Sequence, residues 1–128
     1  MAIQITSVGK ISPTQPTQPM RYYPRAVKTG VVDLDKLSMQ ISESSTLTEA
    51  DCQAVVISLV SEVSRALAEG NIVRLGHLGS FQISIKGTGS ETQDLMTIKN
   101  VRSASIVYRP GSRFKKMLKK LDFKIEKR

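Results

Sequence analysis

The stretch from Ala54 to Val60 restricts what this chain can fold into more than any other part of it. It reads Ala-Val-Val-Ile-Ser-Leu-Val and lies inside a segment that carries helix signals at both ends. Thr48-Glu49-Ala50-Asp51 offers a hydroxyl cap with a carboxylate three residues on, and Gly70 is a good left-handed stop. Val63, Ala66 and Leu67 continue the apolar pattern between them. On a helix, the apolar residues of 54–60 occupy almost the full circumference, broken only by Ser58. A helix that is apolar all round needs cover on more than one side. A second subunit is the economical cover; the other solution is a sheet on one side and the terminal helix on the other.

The chain has 128 residues, about one domain's worth, so a two-domain enzyme with an interdomain cleft is not expected. Aromatic residues make up 5%, with no Trp, which leaves core packing to aliphatic side chains. No run approaches 18 consecutive apolar residues, and Met1 to Lys10 has neither a basic start nor a long apolar stretch, so neither a membrane span nor a secretory signal is expected. The expected location is the cytoplasm. One cysteine, Cys52, and one histidine, His77, exclude an internal disulfide and any usual zinc site. Cys52 reads as a buried or idle thiol, and His77 lacks the carboxylate or nucleophile that general-base work needs. No enzyme activity, cofactor, metal or small-molecule substrate is expected.

Net charge is +8, unevenly spread. Residues 1–32 carry four basic and no acidic residues, residues 33–70 two basic and seven acidic, and residues 71–128 thirteen basic and four acidic. The C-terminal half is therefore the part that faces an anion.

Residues 1–32 begin with Ile3, Ile5 and Val8 in near alternation, then break into a Pro-Thr-Gln loop over residues 12–19. An extended pattern resumes from Met20 to Val32, and Pro24 assigns it to a sheet edge. Arg21 and Arg25 beside Tyr22 and Tyr23 have two readings, a phosphate clamp or cation–π packing inside the strand. Asp33 and Asp35 open a short helix with Leu34, Leu37, Met39 and Ile41.

After Gly70 the period becomes two. Leu78, Phe81, Ile83 and Ile85 form one extended run, and Met96, Ile98, Val101, Ala104, Ile106 and Tyr108 form a second. The polar, glycine-containing linker 86–94 joins them at a flexible tip, which makes a ribbon hairpin. Gly87-Thr88-Gly89-Ser90 lacks the residues of a phosphate-cradling loop and reads as a turn. Pro110 stands at the first turn of a helix running from Ser112 to about Leu121, with Phe114, Met117, Leu118 and Leu121 on one face and lysines on the rest. Phe123-Lys124-Ile125 adds a last short strand.

Two helices, Gly70 to Phe81 (Gly-Asn-Ile-Val-Arg-Leu-Gly-His-Leu-Gly-Ser-Phe), two long strands, Arg109-Pro110-Gly111 and a Lys-rich helix together resemble the HU/IHF family of bacterial DNA-bending proteins. Tyr22-Tyr23-Pro24-Arg25-Ala26-Val27 and Ser45-Thr46-Leu47-Thr48 are similar to the divergent HU-like proteins of the Bacteroidetes, which carry an added N-terminal strand and a Pro-rich loop. The resemblance implies an α+β, HU/IHF-like fold: a helical dimer body, an antiparallel sheet, protruding β-ribbon arms and a basic C-terminal helix. It divides the chain into an extension over 1–32 and an HU/IHF-like domain over 33–128, with the arm at about 82–106.

The function the resemblance implies is that of a nucleoid-associated, homodimeric protein binding duplex DNA without sequence preference, through backbone phosphates and the minor groove, and bending it. The DNA-binding residues implied are Lys86, Lys99 and Arg102 on the arm and Arg109, Lys115, Lys116, Lys119 and Lys120 at the strand end and terminal helix. Family arms carry a proline wedge near the tip; residues 87–95 have none, and Leu95 and Met96 read first as residues that stabilise the hairpin, with a substitute wedge as the second reading. The competing expectation is an HU-like fold reused for protein assembly, its basic surface meeting an acidic partner.

Overall fold

A computed structural model describes residues 1–126 of the chain. They form two compact units, one of Met1–Val32 with the described residues from Met117 onward and one of Asp33–Lys116.

In the first unit, β1 (Ile3–Lys10) pairs antiparallel with β2 (Arg21–Ala26). The extended run ends at Ala26, earlier than the Met20–Val32 periodicity implies, and Val27 adds one more bond to the Gln4 carbonyl at 2.8 Å. Pro24 is accommodated because β2 is an edge strand. The far side of β1 pairs in parallel with the chain's last strand, Phe123–Ile125, making a mixed sheet rather than a wholly antiparallel one.

The second unit opens with α1 (Leu34–Glu43) and α2 (Glu49–Ala68). The Asp33 carboxylate accepts from the Lys36 N–H at 3.0 Å and caps α1. Thr48 and Asp51 cap α2 reciprocally, with bonds of 3.1 and 3.3 Å. Gly70, at φ +89°, ends α2: its N–H bonds the Leu67 carbonyl and the Asn71 N–H the Ala66 carbonyl, a Schellman pair that needs a left-handed residue. The two helices pack together, and the Gln53 amide donates to Asp35 at 2.7 Å. Each contributes a small buried side chain, Ser38 and Cys52.

Three antiparallel strands complete the unit: β3 (Val73–Arg74), β4 (Gly79–Gly87) and β5 (Val101–Pro110), in that spatial order. The long pair β4–β5 keeps its register from Gly79↔Pro110 to Lys86↔Ser103. The second strand starts at Val101, not at Met96. Residues Gln93–Leu95 and Ile98–Asn100 are short 3₁₀ turns instead. Asn100 is the cause: its amide oxygen accepts from the Thr97 N–H at 2.8 Å and its NH2 donates to the Thr88 carbonyl at 3.1 Å, latching the tip that the glycines suggest is loose.

Pro110 is the last residue of β5 rather than the first turn of a helix, and α3 follows over Ser112–Lys119, two residues shorter than the apolar pattern suggests. β6 (Phe123–Ile125) is the strand that closes the first unit.

Very little of this chain is buried. Among the described side chains larger than glycine only Ser38, Cys52 and Leu67 are. On α2, Val55, Ile57 and Val60 are about 60% exposed (60%, 62% and 60%). Intrachain packing therefore leaves the apolar circumference of α2 largely open.

Candidate nucleic-acid interface

Strand alternation sorts the β3–β4–β5 sheet into two faces. Phe81, Ile83 and Ile85 pair with Tyr108, Ile106 and Ala104 on the apolar face. Ser80, Gln82, Ser84 and Lys86 pair with Arg109, Val107, Ser105 and Ser103 on the other, which is mostly polar. Arg109 and Lys86 thus share a face, six residues apart on the ladder, or about 20 Å at ~3.3 Å per residue. The register also sets Arg74 of β3 opposite Ser80, so that Arg74, Ser80 and Arg109 form one cross-strand row. In the sequence Arg74 reads only as one position of the two-residue period that follows Gly70; its place beside Arg109 exists through strand pairing.

Arg102 sits where the ladder slips. Lys86 pairs with Ser103 but Gly87 with Val101, so Arg102 is the additional residue of a β-bulge. Bulges re-aim a side chain relative to the pleat. Lys99 is on the neighbouring Ile98–Asn100 turn, latched through Asn100. Leu95, Met96 and Ile98 at this end are all exposed, Ile98 most of all at 90%.

The junction between β5 and α3 is tightly built. The Tyr108 hydroxyl donates to the Leu78 carbonyl at 2.6 Å, its ring lies 5.0 Å from that of Phe81, and the Ser112 hydroxyl lies 3.5 Å from His77 Nδ1. At Gly111 a Cβ would stand 2.2 Å from the His77 carbonyl oxygen, a contact only glycine avoids. These contacts set the direction in which α3 leaves the strand. His77 here fastens a turn.

On α3 the 100° step per residue places Lys115, Lys116 and Lys119 within about one third of the circumference, opposite Phe114, Met117 and Leu118. Lys120 follows, its N–H bonded to the Met117 carbonyl at 2.9 Å. Lys115 and Lys119 stand four apart, as do Lys116 and Lys120, and like charges at that spacing repel. Arg113 lies on the flank of the same helix.

The electrostatic feature shared by all these groups is that none is neutralised. Among the described residues the one ion pair is Arg65–Glu62 at 3.3 Å, within α2. Lys86, Lys99, Arg102, Arg109, Lys115, Lys116, Lys119 and Lys120 are all exposed and have no carboxylate partner. No cluster of three or more metal-ligating side chains occurs among the described residues, and no helix among them is long and apolar enough to cross a membrane.

The family model for HU domains fused to winged helix-turn-helix, immunoglobulin or glycine-rich motifs, HU-HIG, matches residues 1–127. The chain belongs to the HU-HIG family. A solved structure from Bacteroides vulgatus, described as a "putative bacterial DNA binding protein", is similar over 98% of this chain with a TM-score of 0.64 and 17% identity, which speaks for a shared fold. This chain spans 50% of the length of that protein. No curated protein matches. The family match covers the N-terminal sheet as well as the helices and hairpin, and membership of the family supports DNA binding in general.

Proposed function

We propose that this HU-HIG chain is an architectural protein that binds duplex DNA without sequence preference, as a homodimer, in the bacterial nucleoid. The observation that carries the reading is the set of eight exposed cations on β4, β5, the hairpin tip and the α3 region, none of them paired with a carboxylate among the described residues. The mutual repulsion of unpaired lysine and arginine in such number is screened only by solvent and salt. A DNA backbone replaces that screening with fixed phosphates and releases its own condensed counterions, which gives affinity that does not depend on base sequence. The polar face and the bulged Arg102 supply phosphate contacts along the hairpin, while Leu95, Met96 and Ile98 supply the apolar groups that a proline-free tip would press against a deformable base step.

Exposure supports the homodimer. With Val55, Ile57 and Val60 open to water and only three side chains larger than glycine buried among the described residues, a single copy lacks the apolar burial that ordinarily stabilises a domain of this length. A second α2 covers the first.

Binding of a duplex of about 20 base pairs, measured over rising salt, tests the reading. The expected result is a linear fall of log affinity with log salt, at about 0.9 per phosphate contacted, with a slope corresponding to several phosphates and little change between base sequences. Absence of duplex binding at low salt, combined with capture of an acidic protein, would replace it with the protein-assembly reading. The carboxylates Glu91 and Asp94 near the hairpin tip favour that alternative.

A further inference from the structure

The N-terminal sheet has its own basic face, outside the residues on which the DNA-binding reading rests. The register places Lys10 opposite Arg21, Val8 opposite Tyr23 and Thr6 opposite Arg25, and on the other side of β1 places Gln4 opposite Lys124. Directly opposed residues share a face. Lys10, Arg21, Arg25 and Lys124 therefore lie on one face around Tyr23, while Ile3, Ile5, Tyr22, Ala26, Phe123 and Ile125 take the other. The Lys10 Nζ stands 5.9 Å from the centre of the Tyr23 ring, which confirms the common side and gives the cation–π contact to Lys10 rather than to either arginine.

Three features of this face point to a ligand. Lys10 and Arg21 are like charges directly opposed at the end of a hairpin, an arrangement that costs stability. Among the described residues no carboxylate is ion-paired with either: residues 1–32 contain none, and Asp122 and Glu126, the two of the described C-terminal segment that joins the sheet, make no ion pair with these cations. The face is also hollowed. A cavity of about 630 Å³ opens between Lys10, Arg21, Tyr23 and the loop prolines Pro13 and Pro19, and a second of about 240 Å³ adjoins it between Lys10, Tyr23 and Arg25. The loop is stiffened by three prolines and two successive turns, Gln15 N–H to Ser12 O at 3.3 Å and Gln18 N–H to Gln15 O at 3.1 Å, so the hollow exists before anything enters it.

We propose that this face is a second nucleic-acid contact, in which a backbone phosphate seats between Lys10 and Arg21 against Tyr23 and the phosphodiester chain continues toward Arg25. An anion between the opposed pair turns its repulsion into two charge-assisted hydrogen bonds. From the Lys10–Arg21 pair to Arg25 is four residues of strand, about 13 Å, so the row contacts a polymer rather than a single ion.

The test compares the full chain with Lys10→Gln/Arg21→Gln/Arg25→Gln and with a control of equal charge loss, Lys28→Gln/Lys36→Gln/Arg65→Gln, in binding a duplex and a single strand of the same length. All substituted side chains are exposed, and circular dichroism checks the fold. The expected result is a log–log salt slope lower by about 2 to 3 in the first variant only, with at least a tenfold loss of affinity. The arm that shows the loss identifies the form of nucleic acid that seats there.

A titration of the unaltered chain with inorganic tripolyphosphate, followed by amide NMR shifts, separates this site from the hairpin and α3. Shifts at Lys10, Arg21 and Tyr23 without any duplex binding would keep the sheet site and discard the architectural reading. An unchanged slope in the first variant, together with no shifts over residues 10–25, would overturn the sheet site alone.

Discussion

Gly111 shows how much one residue settles. It has no side chain where a Cβ would press on the His77 carbonyl at 2.2 Å, and both partners are backbone that cannot turn aside. Gly111→Ala is expected to destabilise the chain by about 1–3 kcal/mol, the usual cost of forcing atoms into a packed junction, with a lower midpoint in urea unfolding as the readout. Because the same junction aims α3, duplex affinity is expected to fall as well, even at temperatures where the variant remains folded. Asn100 plays a comparable part at the other end of the hairpin. Its composition-neutral amide gives no warning in the sequence, yet it converts the expected strand start at Met96 into a turn by bonding Thr97 and Thr88 simultaneously.

At the scale of elements, α3 keeps the two faces that the sequence pattern shows although it ends at Lys119 rather than Leu121. Its lysines occupy one arc because apolar residues at 114, 117 and 118 claim the opposite one, and the end of a helix favours cations through its dipole. Lys115→Glu with Lys119→Glu is expected to reduce duplex affinity by at least two orders of magnitude while circular dichroism stays unchanged, since both side chains are exposed and no ion pair is broken. Electrophoretic shift at low salt is the measurement; unaltered affinity would move the contact to the hairpin. The helix boundaries were legible from residue chemistry, Asp33 and Thr48 as caps and Gly70 as stop, because capping is decided within four residues. The Arg74–Ser80–Arg109 row was not, because it exists only through the pairing of strands.

For the whole molecule, the decisive quantity is the apolar surface left uncovered on α2. Val60→Asp is expected to abolish the proposed dimer and unfold the chain, because a charge without a partner in the apolar interface it would form costs several kcal/mol. Sedimentation or light scattering with circular dichroism checks it, and a folded monomer would contradict the two-copy core. The sequence by itself determined the first two helices and their caps, the hairpin, the basic C-terminal half and an α2 that needs cover on more than one side, all of which depend on local chemistry and periodicity. Tertiary structure alone decided that the last strand returns to β1, that Arg102 stands on a bulge, that Arg74 joins Arg109, and that Lys10, Arg21 and Arg25 share one hollowed face. Those depend on which distant strands hydrogen-bond and in which register, and a shift of one residue would send every one of those side chains to the opposite face.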